Sequence, residues 1–348
     1  MATLSVHVHL GDFAQTQKVF LSGNLPQLGQ WKPDAIPLRP IGHGLFHAEL
    51  SAPAGALLEY KFTLGSWDQE AADELGNPLP NFRTLLTDSA SVSHNVPRWK
   101  SAYPWQGPGR VELLPAQKGN GLLPRTVAVW LPPGYDAQPG RKFPLLYVLD
   151  GQNAFDPSTA AFGIDWRLGQ TAAMLIQTGR MEPVIIAAVY NTPDRNAEYG
   201  FGEKGHAFAR FLGQSLRKEL GARYRLQQGP EGIAVMGSSM GGLSAFFLAW
   251  QYPKWFGKAA SLSPAFKTRR WDYVAQVCST SILPRPRLYL DMGGRGVDSY
   301  LIYGLNDMLK ALDSQGITYQ YFYEKDAPHN ETAWGRRAWR PLTYLFGT

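Results

Sequence analysis

An apolar run that ends at a glycine-flanked serine and continues into an apolar helix most constrains how this chain can fold. Residues 233–238 are Ile, Ala, Val, Met, Gly and Ser, which predict a buried strand, and residues 241–251 predict a buried helix. Between them lies a G-x-S-x-G turn, Gly-Ser-Ser-Met-Gly, with Ser239 at its centre. This strand–turn–helix pattern predicts a sheet covered by helices and nominates Ser239 as a catalytic nucleophile.

The residues around Ser239 suit such a turn. Side chains at Gly237 and Gly241 would collide with the adjoining strand and helix. The helix begins at the turn, so its free N–H groups face the position where an oxyanion would form. The N–H of Met240, the residue after the nucleophile, is therefore one predicted oxyanion donor.

The second oxyanion donor is expected from the loop that follows the apolar run at 143–149. There Gly151 allows the backbone to approach a substrate, and the N–H of Gln152 is the predicted donor. The alternative is that Asp150 and Gly151 form an ordinary turn.

A serine needs a base, and His329 is the one histidine after Ser239. It follows the last predicted strand, 318–323, and precedes a final helix. In hydrolases built on this kind of turn, the chain order is serine, acid, histidine. His329 therefore stands where a catalytic base is expected; the alternative is a surface histidine.

The acid is less sharply defined, and it belongs on the loop after the predicted strand 287–291. Asp298 is preferred because it can reach out from that loop. Asp291, at the strand end, and Asp326, three residues before His329, are the alternatives. A Ser–His dyad whose imidazole is oriented by a carbonyl is also open, since the acid's role is to fix the tautomer and stabilise the imidazolium.

The spacing of apolar residues divides the 348 residues into two parts. Up to residue 98, about seven short alternating runs separated by turn residues predict an all-β, immunoglobulin-like sandwich. Residues 99–109 are predicted to be a linker. From residue 110, near-continuous apolar strands alternate with helical stretches, which predicts an α/β, doubly wound sheet over 110–348. The predicted helices are 166–179, 205–222, 241–251 and 299–314.

Composition excludes several classes of protein. The formal net charge of +6 is scattered rather than clustered, so no nucleic-acid partner is expected, and Arg336, Arg337 and Arg340 read as a solvated helix face. One cysteine allows no intrachain disulfide. No apolar stretch could span a membrane and no signal-peptide pattern is present, so the sequence predicts a cytoplasmic protein. The alternative is a leader that was removed and replaced by an initiator Met, which would leave the same sequence. No metal or cofactor is expected, and the oligomeric state is left open.

The motifs of the second half resemble the esterase D-like α/β-hydrolases, which include enterochelin esterases, feruloyl and acetylxylan esterases, and S-formylglutathione hydrolases. The resemblance lies in residues 147–153, 193–199, 237–242, 261–264 and 329–334. It implies ester hydrolysis without a cofactor. These families often carry the acid in a Gly-Thr-x-Glu/Asp motif, whereas glycine occupies that place in Gly293–Gly296. The triad acid is then either displaced to Asp298 or missing.

The first half resembles a family 20 carbohydrate-binding (starch-binding) module. The similar segments are 19–31, 59–62, 65–67 and 81–83. The resemblance implies an α-glucan site at Trp31, Lys61, Trp67 and Asn81, where indole faces stack on pyranose rings and the polar groups bond hydroxyls. Alternatively, Trp31 is a core residue and the domain walls the acyl pocket or forms a dimer surface.

Three more residues are predicted to bind substrate. Arg195 and Glu198 follow the predicted strand 183–190 at the edge of the sheet where ligands bind, and Trp166 is placed to line a pocket. The alternatives are that Arg195 and Glu198 pair with each other and that Trp166 packs in the core.

The sequence as a whole predicts a serine esterase that hydrolyses short acyl, aryl or acyl-sugar esters through an acyl-enzyme. A non-catalytic glucan-binding protein with a scaffold hydrolase domain is one alternative. An acyltransferase on the same turn is another.

Overall fold

A computed structural model describes residues 2–10, 18–42, 44–72, 78–99 and 107–348. Residues 100–106 of the predicted linker lie outside the described part. The chain divides into two compact units, one of residues 1–106 with 157–164, the other of residues 107–156 and 165–348.

The first unit is a sandwich of two four-stranded sheets. One sheet has the order β4-β5-β1-β9 and the other β3-β2-β6-β8. Alternation of apolar and polar residues buries one face of each sheet in a shared core that includes Leu4, Val6, Leu58 and Phe62. The strands are β1 (Ala2–Leu10), β2 (Phe20–Gly23), β3 (Ile36–Pro37), β4 (Arg39–Gly42), β5 (Leu45–Ala52), β6 (Ala56–Thr63), β7 (Ala71–Ala72), β8 (Phe82–Leu86), β9 (Ala90–Val96) and β10 (Arg98–Trp99). The short β7 and β10 pair with each other.

The second unit is built on an eight-stranded sheet of order β11-β12-β14-β13-β15-β16-β17-β18. The last six strands in that order run parallel, and the hairpin of the first two pairs antiparallel with them. The strands are β11 (Arg110–Gln117), β12 (Arg125–Leu131), β13 (Leu145–Leu149), β14 (Ile185–Val189), β15 (Ile233–Ser238), β16 (Lys258–Leu262), β17 (Arg287–Gly293) and β18 (Tyr319–Glu324). The central strands are buried on both faces, as their continuous apolar runs predict.

The helices of this unit are α1 (Leu168–Gln177), α2 (Arg195–Glu198), α3 (Glu203–Arg210), α4 (Arg217–Arg223), α5 (Met240–Gln251), α6 (Val274–Cys278), α7 (Asp298–Ser314), α8 (Glu331–Arg337) and α9 (Trp339–Phe346). The helix predicted over 205–222 is interrupted by a π-helical segment at 211–216. There Gly213 admits the ring of Trp255, with which a side chain would collide. Within the described ranges, no helix is long and apolar enough to cross a lipid bilayer.

Parallel strands bring distant segments of the chain to one edge of the sheet. The segments after β13, β14, β15, β17 and β18 all leave the sheet at the carboxyl ends of their strands. That edge is where doubly wound sheets bind ligands. Ser239, Asp298 and His329 follow three of these strands.

Candidate active site

Ser239 sits in a strained turn between β15 and α5. Its φ and ψ are 56° and −119°, values that a non-glycine residue adopts only where the surrounding structure imposes them. A Cβ at Gly237 would lie 2.5 Å from the carbonyl oxygen of Gly241, and one at Gly241 would lie 3.3 Å from Oδ2 of Asp150. The two glycines therefore leave room for the tight turn and for the carboxylate beside it.

Asp298 and His329 form a hydrogen-bonded pair. Asp298 is the first residue of α7 and is fully buried, and its Oδ1 lies 2.5 Å from Nδ1 of His329. Its other oxygen accepts hydrogen bonds from the backbone N–H of Gly293 and the hydroxyl of Ser263, at 2.9 and 2.8 Å. A carboxylate held on both oxygens fixes the orientation of the imidazole through its Nδ1.

The hydroxyl of Ser263 anchors this pair. It receives hydrogen bonds from Nε1 of Trp334 at 3.1 Å and Nη2 of Arg337 at 2.7 Å. The ring of Trp334 also packs edge-on against His329, with centroids 4.8 Å apart. Sequence reasoning assigned no role to Ser263 or Trp334, although both lie in segments that carried the family resemblance.

The other two candidate acids lie elsewhere. Asp291 is buried against Arg337, with its Oδ1 and Oδ2 each 3.0 Å from a guanidinium nitrogen. Burial raises the pKa of Asp291, and the cation opposes that shift. Asp326 is exposed and pairs with Arg295 at 2.6 Å. Arg337 is 2% exposed, so the prediction that it lies on a solvated face is wrong; it ties α8 to the sheet.

Ser239 and the Asp298–His329 pair are both hydrogen-bonded to the turn at 262–265. The N–H of Ser239 donates to the carbonyl of Leu262 at 2.9 Å, and its carbonyl accepts from Ala265 at 3.1 Å. The same turn carries Ser263, which holds Asp298 and through it His329. Among the described residues, Ser239 Oγ takes part in no hydrogen bond.

The loop after β13 is fastened by the segment after β14. Asp150 has a left-handed backbone, with φ 54°, and its carboxylate is gripped by Nε and Nη2 of Arg195 at 2.6 and 2.7 Å. Its N–H donates to the hydroxyl of Tyr199 at 2.8 Å. A side chain at Gly151 would collide with the backbone of β14. These contacts set the path of the chain into Gln152, the predicted second oxyanion donor.

Two of the predicted substrate-binding residues are buried. Glu198 is fully buried and faces Arg125, with oxygen–nitrogen distances of 2.6 and 2.9 Å, so the prediction that it binds substrate is wrong. It does not pair with Arg195 either, because Arg195 binds Asp150. Trp166 is 1% exposed and packs edge-on against Trp334. It therefore packs in the core against the ring that contacts His329, which is the alternative that the sequence left open.

A pocket of about 480 Å³ adjoins the turn. Its lining includes Met240 and Leu243 from α5, Phe201 from the segment after α2, and Trp271. The indole N–H of Trp271 donates to the carbonyl of Ala265 at 2.9 Å, so the ring contributes mainly apolar surface to the pocket. The pocket can therefore accept an apolar or aromatic group beside Met240, the residue after Ser239.

The four predicted sugar-binding residues lie in the first unit. The rings of Trp31 and Trp67 are 6.3 Å apart at 51°. Lys61 forms an ion pair with Glu70 at 2.5 Å. Asn81 is exposed at the start of the segment leading into β8. Both indoles are partly exposed, so together they form an aromatic surface that a ligand can reach.

The fold and the site define an α/β-hydrolase, and the comparison with known proteins places it further. Residues 123–339, more than half of the chain, match the family described as putative esterase, and the chain belongs to that family. The enzyme class is that of the carboxylic ester hydrolases. Residues 3–95 match the starch-binding domain. Both matches confirm the resemblances seen in the sequence, and with them the fold class.

Three relatives illustrate the similarity. A ferulic acid esterase superposes with a TM-score of 0.57 at 17% identity, over 68% of this chain and 98% of that one. The enterobactin esterase of Shigella flexneri gives 0.59 at 13%, over 96% and 89%. The amylopullulanase of Thermoanaerobacter thermohydrosulfuricus is 28% identical over 101 residues, which are 28% of this chain but 7% of that protein. The chain thus spans a small part of this last relative.

Proposed function

We propose that this protein is a serine esterase in which Ser239 is the nucleophile, His329 the general base and Asp298 the triad acid. The observation that carries the proposal is the hydrogen bond between Asp298 and His329, at the edge of the sheet where Ser239 stands in its strained turn. A paired, buried carboxylate beside a histidine has the arrangement that activates a serine.

In this proposal His329 removes the proton of Ser239 as its oxygen attacks the ester carbonyl. The N–H groups of Met240 and Gln152 stabilise the oxyanion. The imidazolium then protonates the leaving alcohol, and the acyl-enzyme is hydrolysed by a water that His329 activates in turn. The bond between Ser239 and His329 is expected to form when substrate binds, because catalytic hydrogen bonds commonly tighten only in the complex.

The pocket beside Met240 and Trp271 supports a substrate with a short acyl or an aryl group. Its volume of about 480 Å³ suits a small ligand rather than a long lipid. The name of one structural relative, ferulic acid esterase, agrees with an aromatic acyl group.

The first unit is proposed to bind α-glucan through Trp31, Lys61, Trp67 and Asn81. The match to the starch-binding domain and the two neighbouring indoles support this role. Sugar binding would require Lys61 to bond a hydroxyl while it keeps its ion pair with Glu70.

The glycine at the usual acid position favoured the alternative of a scaffold domain without activity. That argument weakens because Asp298 reaches His329 from the next helix.

The test of the catalytic proposal is hydrolysis of p-nitrophenyl acetate by the parent protein and by Ser239→Ala. We expect the substitution to abolish turnover and labelling by a fluorophosphonate, while the protein stays folded. Equal rates for the two proteins would exclude the mechanism.

For the glucan site, β-cyclodextrin binding should fall about tenfold or more in Trp31→Ala and Trp67→Ala. The matched control is Leu85→Ala, at a residue of the same unit that is 62% exposed.

A further inference from the structure

Glu331 is a buried acid that the proposed mechanism does not use. It is the first residue of α8, two positions after His329, and only 9% of it is exposed. Within the described part of the chain, its carboxylate receives no hydrogen bond from another side chain and forms no ion pair. Burial raises the pKa of this carboxyl. Its own backbone N–H donates to it, which uses only part of the capacity of a carboxylate for about four hydrogen bonds, so a ligand that donates hydrogen bonds can still bind there.

Arg195 is the complementary group. It binds Asp150 through Nε and Nη2, and among the described residues Nη1 has no partner. Its side chain is 28% exposed. Arg195 and Glu331 lie close enough to act on each other electrostatically, yet they form no direct ion pair. A donor and an acceptor therefore stand near one another without satisfying each other.

Both groups lie beside the reacting serine and histidine. Asp150, which Arg195 holds, lies against Gly241 of the turn, and Glu331 follows His329 by two residues at the start of α8. In the proposed reaction, His329 delivers a proton to the leaving oxygen. Groups beside the histidine therefore face the alcohol part of an ester. The pocket at Met240 and Trp271 is a different place, because its lining includes residues of α5.

We propose that Glu331 and Arg195 form a subsite for the leaving alcohol that recognises hydroxyl groups next to the ester, so that the preferred substrates are esters of polyols or sugars. The inference rests on the proposed esterase function. A carboxylate only accepts and a guanidinium only donates, whereas a hydroxyl does both, so neighbouring hydroxyls can bond the two together. The alkyl part of a simple ester offers Glu331 no hydrogen-bond donor, which a site built for hydroxyls penalises strongly.

The test compares two esters that share the acyl group and differ only in hydroxyls, glycerol monobutyrate and propyl butyrate. We expect the parent protein to favour the glycerol ester by about tenfold or more in kcat/KM. Glu331→Gln should remove most of this preference by slowing the glycerol ester much more than the propyl ester. Asp326→Asn is the matched control, because it changes an exposed carboxylate on the same loop that pairs with Arg295, and it should keep the preference.

Equal kcat/KM for the two esters in the parent, or an equal loss on both in Glu331→Gln, would overturn the inference. Should Glu331→Gln not fold, Glu331→Asp moves the carboxylate back by one methylene and is expected to reduce the same preference. Fluorophosphonate labelling of Ser239 tests the esterase proposal separately. A protein that is labelled but shows no hydroxyl preference loses only the subsite, whereas one that is never labelled loses the proposed function and the subsite with it.

Discussion

The carboxylate of Asp298 lies in the space that a side chain on Gly293 would fill. A Cβ on Gly293 would overlap Oδ2 of Asp298, and the N–H of Gly293 donates to that same oxygen at 2.9 Å. Glycine at position 293 is therefore a condition for an acid that comes from α7. It accommodates a carboxylate that reaches back from five residues further along the chain.

Replacing Asp298 by Asn should lower kcat for p-nitrophenyl acetate by about three to four orders of magnitude, with little change in KM. An amide in this position favours the wrong imidazole tautomer and does not stabilise the imidazolium. Steady-state kinetics measure the effect, and Asp326→Asn is the control. Activity of Asp298→Asn close to that of the parent would show that another group orients His329.

Replacing Asp150 by Asn should lower kcat by roughly 10- to 100-fold with little change in KM, because the loop that carries Gln152 loses its ionic clamp to Arg195 and shifts slightly. Affinity for a boronic acid that mimics the tetrahedral intermediate should fall in parallel. Binding of a planar product acid should change much less. A loss that affects all three alike would mean that Asp150 serves folding only.

Glu198→Gln should destabilise the fold by roughly 3–5 kcal/mol, because it leaves the buried guanidinium of Arg125 without its counter-charge. Urea unfolding followed by circular dichroism measures this loss. The exposed pair of Glu219 and Arg223 supplies the control, since Glu219→Gln should cost less than about 1 kcal/mol. A substrate-binding role for Glu198 would instead raise KM in a protein of unchanged stability.

Asp165 should make stability depend on pH. Burial raises its pKa to about 6 from the 3.8 of an exposed aspartate, so the folded state holds its proton more tightly than the unfolded state. The stabilisation is therefore fully present below pH 3.8 and is lost as pH rises through about 6. Asp165→Asn should be more stable than the parent at pH 7.5 by about 2–3 kcal/mol and similar to it at pH 4. An equal difference at both pH values in urea unfolding would contradict this assignment.

Local patterns were enough for the elements on either side of Ser239. The apolar run into Ser239 predicts β15 and α5, and the observed strand ends at Ser238 and the helix begins at Met240. Such features depend on neighbours along the chain, namely the period of apolar residues and the room that glycine leaves in a turn. The position of His329 after the last strand follows from chain order in the same way.

The sequence by itself determined the two kinds of domain, the family resemblance, the serine turn and the histidine loop, because each is written in residues close to one another. Only the tertiary structure decided which partners meet. It placed Asp298, and not Asp291, on His329; it paired Glu198 with Arg125, 73 positions away, and Arg195 with Asp150, 45 positions away. The order of strands in the sheet decides which loops become neighbours, and that order arises from packing of the whole domain rather than from any local pattern.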